Sequence, residues 1–200
     1  MTDISDIFIP FINEIDELPP PEEFHRRKAV ETPPEIQKEL EKTRLKREGE
    51  FRSWLIENKP KNSVMTPIET STATGVPDIF SCYQGHSCWI ECKSILSGPG
   101  RVRGTQYIYL KKLLAAGGHA KIVIQNIYRN TGKPTSISIY DAQQIVSMPL
   151  GMFKQYGEEL MFPPSLEPKY KWYYKKYKQV KMDIEDLYLH LLLDIKEFED

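Results

Sequence analysis

The stretch GVPDIFSCYQGHSCWIECKS, residues 75–94, contains two runs of β-favouring residues, DIFSCY and SCWIECK, on either side of QGH. Two such runs around a glycine-containing turn predict a β-hairpin. If Gln84 and Gly85 form a two-residue turn, Asp78 lies opposite Glu91 in the paired strands. This register decides which side chains share a face of the sheet.

In that register the carboxylates of Asp78 and Glu91 face each other, with Cβ atoms roughly 4.5 to 5.5 Å apart. Lys93 follows on the same face, because side chains alternate along a strand. Two unpaired carboxylates at this distance raise each other's pKa unless a cation lies between them. Mg²⁺ typically takes one or two carboxylates, with waters and a substrate phosphate completing its shell. The pattern predicts a magnesium site, although a turn residue at Asp78 and a surface ion pair between Glu91 and Lys93 stay open as the alternative.

The three cysteines of the same stretch first suggest zinc or a disulfide. Cys88 and Cys92 are four residues apart on one strand, about 13 Å at the usual rise, which excludes a direct disulfide between them. The spacing of the three also lacks the short cysteine pairs of structural zinc sites. We expect free cysteines packed in a β core, with Cys82 on the face of Asp78.

Around the hairpin, the sequence predicts a helix over 35–59, a second helix over 104–118, strands at 120–128 and 135–140, and a short helix from Asp141. This order is typical of an α/β domain with a mixed sheet. The acid-rich and proline-rich residues 1–34 read as an extended arm, 35–148 as the domain, and 149–200 as a C-terminal extension. That extension contains the segment KYKWYYKKYKQVK (169–181) and an amphipathic helix.

The residues also bear on the compartment. No apolar run approaches the roughly 18 residues of a membrane span, and the N-terminus has acids where a signal peptide needs basic residues. An odd count of three cysteines fits a reducing compartment. We expect a cytoplasmic protein (in the host cytoplasm if the protein is viral) with no signal peptide and no membrane partner.

GVPDIF, IECK, the glycine-rich basic loop after them and TQYIYLKKLLAAGGHAKIVIQ together resemble the PD-(D/E)XK nuclease superfamily. The sequence is most similar to its virus-type replication-repair nuclease group (VRR-NUC) and the related Holliday-junction resolvases. The resemblance covers about residues 46–128. It implies a restriction-endonuclease-like core, α/β in class, with a central mixed β-sheet flanked by helices and with N- and C-terminal extensions.

The resemblance also implies roles for individual residues. Asp78, Glu91 and the backbone carbonyl of Cys92 would bind Mg²⁺, with Mn²⁺ as a substitute, and Lys93 would orient or activate the attacking water. Family members often add an acid from the preceding helix, for which Glu50 is the first candidate and Glu69 the competitor. Gln106 matches the glutamine that opens the helix after the lysine strand.

The implied function is a metal-dependent DNA nuclease, and more narrowly a structure-specific endonuclease in DNA replication, recombination or repair of a virus, phage or bacterium. Arg101 and Arg103 in the loop SGPGRVRG suit phosphate contacts, although a solvated loop is the alternative. Lys171, Lys175 and Lys176 lie among aromatic residues, a pattern that suits DNA but also suits packing on the domain.

A second hypothesis is a nuclease-fold binding or assembly module without turnover. In that case the terminal arms would dock on a protein partner within a larger nucleoprotein complex. Resolvase relatives work as homodimers, but the sequence shows no interface, so dimerisation stays open.

Overall fold

Two β-sheets organise the residues that the computed structural model describes, which are 34–69, 74–96, 98–128, 132–173 and 184–193. The helices are α1 (Pro34–Glu57), α2 (Gly104–Ala115), α3 (Ala142–Val146) and α4 (Ile184–Leu192). The strands are β1 (Val64–Pro67), β2 (Ile79–Tyr83), β3 (His86–Leu96), β4 (Arg101–Arg103), β5 (Ala120–Ile127), β6 (Pro134–Asp141), β7 (Lys154–Tyr156), β8 (Glu159–Met161) and β9 (Tyr170–Tyr173).

The larger sheet has the strand order β1-β2-β3-β5-β6-β9. Strands β3 and β5 are parallel, because the chain crosses over through α2 between them, and the other neighbours are antiparallel. The smaller sheet has the order β4-β8-β7. The predicted α/β class with a central mixed sheet is confirmed.

Helices cover both faces of the large sheet. One face packs against α1 and α4 through a core that includes Phe51, Leu55 and Leu187. The other face packs against α2, α3 and the small sheet through a core that includes Tyr107 and Ile145. Because the sheet is covered on both sides, most residues of its central strands β3, β5 and β6 are buried, and these include polar residues such as Glu91 and Lys93. This layering is consistent with a restriction-endonuclease-like core.

The predicted hairpin has the predicted register. Ile79 pairs with Ile90 and Tyr83 with His86, which places Asp78 across from Glu91 at the end of the ladder. Gln84 and Gly85 both have positive φ, at 50° and 83°, as a type I′ two-residue turn requires. The hairpin therefore presents the acid pair as the sequence predicts.

Residues from the predicted C-terminal extension contribute to this sheet and core. Strand β9 pairs with β6 at the sheet edge, and the side chains of Leu187, Tyr188 and Leu191 in α4 are at most 1% exposed. The Nζ of Lys121, in the middle of the sheet, donates hydrogen bonds to the carbonyls of His190 and Leu193 at the end of α4.

The N-terminal arm 1–34 lies outside the described residues except for Pro34, as do Lys175 and Lys176. In the described ranges, none of the helices is both long and apolar enough to pass through a lipid bilayer.

Candidate functional site

Asp78 lies in the turn that leads into β2. Its Oδ2 accepts a hydrogen bond from the backbone N–H of Cys92 at 2.8 Å, so the carboxylate ends the β2–β3 ladder. Its Oδ1 lies 3.9 Å from a guanidinium nitrogen of Arg52 on α1. The turn itself packs against α2, since a Cβ on Gly75 would lie 2.4 Å from the carbonyl oxygen of Thr105. Gly75 has φ +86°, so both the conformation and the close approach require glycine there.

Glu91 is the centre of the site and is 1% exposed. Its Oε1 accepts hydrogen bonds from the Nζ of Lys93, at 2.5 Å, and from the Nε2 of Gln106. Its Oε2 is buried and has no hydrogen-bond partner among the described residues. Desolvation raises the pKa of Glu91 to about 7, against the lowering effect of Lys93 and with further increases from Asp78 and Glu48. A carboxylate in this state is poised to accept a cation.

Lys93 is 8% exposed. Burial lowers the pKa of Lys93, but the carboxylates of Glu91 and Glu48 raise it, and the net pKa lies above its ordinary value. The side chain is therefore a charged ammonium at neutral pH. Lys93 can donate hydrogen bonds and stabilise negative charge, and it holds its proton rather than acting as a free base.

Gln106 joins the site to the start of α2. Its Oε1 accepts the backbone N–H of Arg103 at 2.9 Å, which satisfies a donor at the helix terminus, while its Nε2 donates to Glu91. The amide is 8% exposed. The structure thus brings together Asp78, Glu91, Lys93 and Gln106, all four expected from the sequence.

The third acid beside this group is Glu48, which the sequence reasoning missed. Its Oε1 lies 3.4 Å from the backbone N–H of Ser94, which donates to it, and its charge raises the pKa of both Glu91 and Lys93. Glu50, the first candidate, is not brought to the site: its side chain is 63% exposed and pairs with Lys46 at 3.8 Å. The competitor, Glu69, is also exposed.

Helical spacing explains the difference between the two glutamates. Residues 3.6 positions apart share one side of a helix, so Glu48 projects to the same side as the buried Leu55, almost two turns later. Glu50 is the immediate neighbour of buried Phe51 and therefore points about 100° away from it. The spacing from Glu48 to Phe51 and Leu55, at i+3 and i+7, is the signal that could have found it.

The two predicted DNA-contacting arginines lie in β4 and are paired with acids. Arg101 lies 3.2 Å from Glu159, and Arg103 lies 3.8 Å from Glu41 on α1. Glu159 also pairs with Arg44 of α1 at 2.5 Å. Within the predicted basic loop, Arg101–Arg103 thus form a strand whose ion pairs hold α1 against the small sheet.

Of the three predicted lysines, only Lys171 lies in the described residues, on edge strand β9 with its side chain exposed. Its neighbours face the domain: the ring of Tyr170 stacks on His190 at 3.9 Å between centroids, and Trp172 Nε1 donates to Asp186 at 3.0 Å. These contacts correspond to packing of the aromatic residues on the domain.

All three cysteines are free, as expected. Cys88 and Cys92 are buried and Cys82 is half-buried. Burial raises the pKa of the Cys92 thiol well above its ordinary value, with further increases from Asp78 and Glu91. The thiol of Cys92 therefore stays protonated, and only its backbone can act as an oxygen ligand.

The donor set suits a hard divalent cation. The described residues contain no group of three or more His, Cys, Asp and Glu side chains placed to hold a metal ion, but Mg²⁺ needs only one or two carboxylates in addition to waters. The Oε2 of Glu91, which finds no hydrogen-bond partner in the part of the chain that the structure describes, supplies a buried acceptor opposite Asp78. The residues present fit such an ion.

The chain matches no family model and no curated protein. Among the solved structures that are similar to this chain in part is Hjc of Archaeoglobus fulgidus, a Holliday junction resolvase from an archaeal hyperthermophile, at 14% sequence identity and a TM-score of 0.39, with 57% of this chain and 85% of that chain covered. At this identity and TM-score the similarity does not indicate a function for this chain. The function proposed below is therefore argued from the residues of this chain alone.

Proposed function

We propose that this protein is a divalent-metal-dependent nuclease that hydrolyses DNA phosphodiester bonds at the site of Asp78, Glu91 and Lys93. The observation that carries the proposal is the carboxylate of Glu91. One oxygen is held by Lys93 and Gln106, and the other is buried without a partner among the described residues. A buried acceptor left unsatisfied costs about 1–3 kcal/mol, and more when it is charged, so the site favours a ligand that supplies positive charge.

Asp78, Glu91 and the backbone carbonyl of Cys92 would hold the ion, Mg²⁺ or Mn²⁺. When bound, such an ion polarises the scissile phosphate and lowers the pKa of a coordinated water. Lys93 presents a charged ammonium beside Glu91 and can stabilise negative charge that develops on the phosphate. Gln106 fixes the rotamer of Glu91 through its hydrogen bond. The carboxylate of Glu48 stabilises the charged form of Lys93 and so raises the pKa of Lys93.

A cleavage panel tests this proposal. Junction, flap, duplex and single-stranded DNA are incubated with the full chain and Mg²⁺, Mn²⁺ or EDTA. Asp78→Asn and Lys93→Met should each lower the rate by about 100-fold or more, because each removes a group at the reacting centre. The matched control Lys112→Met removes a charge from an exposed position in the last turn of α2 and should cut at the wild-type rate. Cutting in EDTA would refute the proposed metal dependence, and full activity of both site variants would refute the proposed location of the nuclease site.

A DNA-binding or assembly module without turnover is the second candidate. The carboxylate of Asp78 is already engaged by the N–H of Cys92 and lies near Arg52, an arrangement that is stable without an ion. In that case calorimetry with Mg²⁺ shows no binding to the full chain, while DNA or a protein partner binds stably. Sedimentation of the same sample would report whether the chain forms the homodimer expected of resolvase relatives.

A further inference from the structure

Strand β3 has an open edge beside the acid site, because its pairing with β2 ends at Ile90, before the end of β3. The backbone N–H of Cys92 points to this edge and donates to Asp78. The next N–H on the same edge, that of Ser94, donates to Glu48 of α1 at 3.4 Å. The N–H and C=O of one residue in a strand point to the same edge, so the carbonyl of Cys92 points there as well. Side chains of α1 can therefore reach this edge of the acid site.

Arg52 is a second residue of α1 that reaches the site. It lies one turn after Glu48, on the same side of the helix. One guanidinium nitrogen of Arg52 is 3.9 Å from the Oδ1 of Asp78, the carboxylate oxygen that the N–H of Cys92 does not use. This distance is longer than a hydrogen bond. Within the part of the chain that the structure describes, the guanidinium donates none of its five N–H groups, and 28% of the side chain is exposed. Arg52 can therefore take a second partner from the solvent side.

Other arginines close to this edge are already engaged. Arg44 pairs with Glu41 and with Glu159, and Arg101 pairs with Glu159, all at 3.2 Å or less. Charge-assisted contacts of this length would have to break before either arginine could bind another anion. Arg52 would give up only a contact of 3.9 Å. Among these arginines, Arg52 is therefore the best placed to bind an anion.

The charges around the site favour an exchange of partners. The carboxylates of Asp78, Glu91 and Glu48 carry three negative charges when all are ionised. Lys93 and Arg52 carry two positive charges, so the sum is −1, which repels a phosphodiester. With a divalent ion the sum becomes +1, which attracts one. The guanidinium of Arg52 repels such an ion and attracts a phosphate, so the ion and Arg52 compete for the same carboxylate.

We propose that Arg52 binds a phosphate of the DNA at this site, and that the carboxylate of Asp78 exchanges the guanidinium for the divalent ion. The inference rests on the proposed nuclease function and adds a residue that holds its substrate. A planar guanidinium suits two parallel hydrogen bonds to one phosphate. Arg52 thus weakens the binding of the ion and strengthens the binding of DNA, whereas a residue with only a structural role would not affect the two ligands in opposite directions.

Ion binding without DNA tests the exchange at Asp78. Full-length wild type, Arg52→Met and Arg52→Lys are titrated with Mn²⁺ in a calorimeter. Arg52→Met should bind Mn²⁺ about threefold or more tightly than the wild type, because a like charge beside the carboxylate is removed. Arg52→Lys keeps that charge and should stay within about twofold of the wild type. The matched control Lys42→Met removes a charge from an exposed position on the same helix and should leave the Mn²⁺ affinity unchanged.

DNA binding without turnover tests the phosphate contact. The DNA is the substrate that the cleavage panel selects or, if none is cut, the member of the panel that binds tightest. One phosphate at a time is replaced by a neutral methylphosphonate, and the affinity of full-length Lys93→Met with Mn²⁺ is measured by fluorescence anisotropy. At one position the replacement should weaken binding about fivefold or more, the size expected for a hydrogen bond between charged groups. With Arg52→Met added, the loss at that position should shrink to about twofold or less, because both changes remove the same contact.

Circular dichroism and urea unfolding verify that each variant is folded. An Mn²⁺ affinity of Arg52→Met equal to or below that of the wild type would overturn the exchange at Asp78. Losses from methylphosphonate that are the same with and without Arg52→Met at every position would overturn the phosphate contact. Cleavage by the wild type without this coupling would keep the nuclease and remove the role of Arg52. Coupling in a protein that cuts no DNA would sink the nuclease proposal and leave Arg52 as a phosphate-binding residue.

Discussion

The stability of the folded chain should fall as the pH rises from about 4.5 to 7, through the ionisation of Glu91. Desolvation raises the pKa of this carboxyl from its ordinary 4.5 to about 7. Between these two values the folded state holds a proton that the unfolded state has released. Because the folded state binds more protons there, the free energy of unfolding decreases with increasing pH.

The size of the effect follows from the same two pKa values. Each tenfold difference in proton affinity corresponds to about 1.4 kcal/mol. Above pH 7, the ionised Glu91 therefore lowers the free energy of unfolding by about 3 kcal/mol, whereas below pH 4.5 the carboxyl is protonated in both states and lowers it by almost nothing. Glu91→Gln has no such titration. Between pH 5 and pH 8, the unfolding free energy of Glu91→Gln should therefore rise relative to the wild type by about 2–3 kcal/mol.

Urea unfolding of both proteins in EDTA, at several pH values from 5 to 8, measures this difference. Other titrating groups largely cancel, because both proteins contain them. Adding Mg²⁺ at pH 8 should stabilise the wild type more than Glu91→Gln, since the substitution removes one of the proposed carboxylate ligands. A difference that stays constant within about 0.5 kcal/mol across this range would refute the raised pKa of Glu91.

Three other substitutions test the placement of elements. Glu48→Gln should lower kcat/KM for DNA cleavage at least about tenfold while Glu50→Gln stays within about twofold, and equal effects would contradict the assignment of the third acid. Gly75→Ala should cost at least about 2 kcal/mol more than Gly85→Ala in urea unfolding, because both need a positive φ but only the first would overlap the backbone of α2; matching midpoints would contradict this. Leu187→Ala should cost about 2–5 kcal/mol by the same measurement, and a loss under about 1 kcal/mol would show that α4 is not part of the core.

The hairpin could be predicted from the sequence because its signals are local. Alternating β-favouring residues and the turn at Gln84 and Gly85 predict one register, and every described pair between β2 and β3 has that register. Because Asp78, Glu91 and Lys93 lie in or next to that one hairpin, the proximity of these three site residues follows from local strand pairing alone. The fourth, Gln106, came with the family resemblance.

The missed features depend on contacts between distant parts of the chain. Strand β4 exists because Val102 pairs with Leu160 of β8, and no pattern within SGPGRVRG contains that information. The same holds for β9, whose pairing with β6 turns a basic-aromatic segment into a sheet edge. The sequence reasoning weighed Glu50 and Glu69 and not Glu48, because it took the buried side of α1 from Phe51 alone; taking Leu55 into account as well would have indicated Glu48.

The hydrogen bonds from Lys121 to the carbonyls of His190 and Leu193 join residues 69 and 72 positions apart. During synthesis, the sheet from β1 to β6 can pair before α4 has left the ribosome. Until then Lys121 and one apolar side of the sheet have no cover from α4. This protein therefore passes through a nascent stage with exposed apolar surface, the stage at which a chaperone binds or aggregation begins. The arrival of α4 ends that stage, since it supplies both the apolar cover and the acceptors for the Lys121 ammonium.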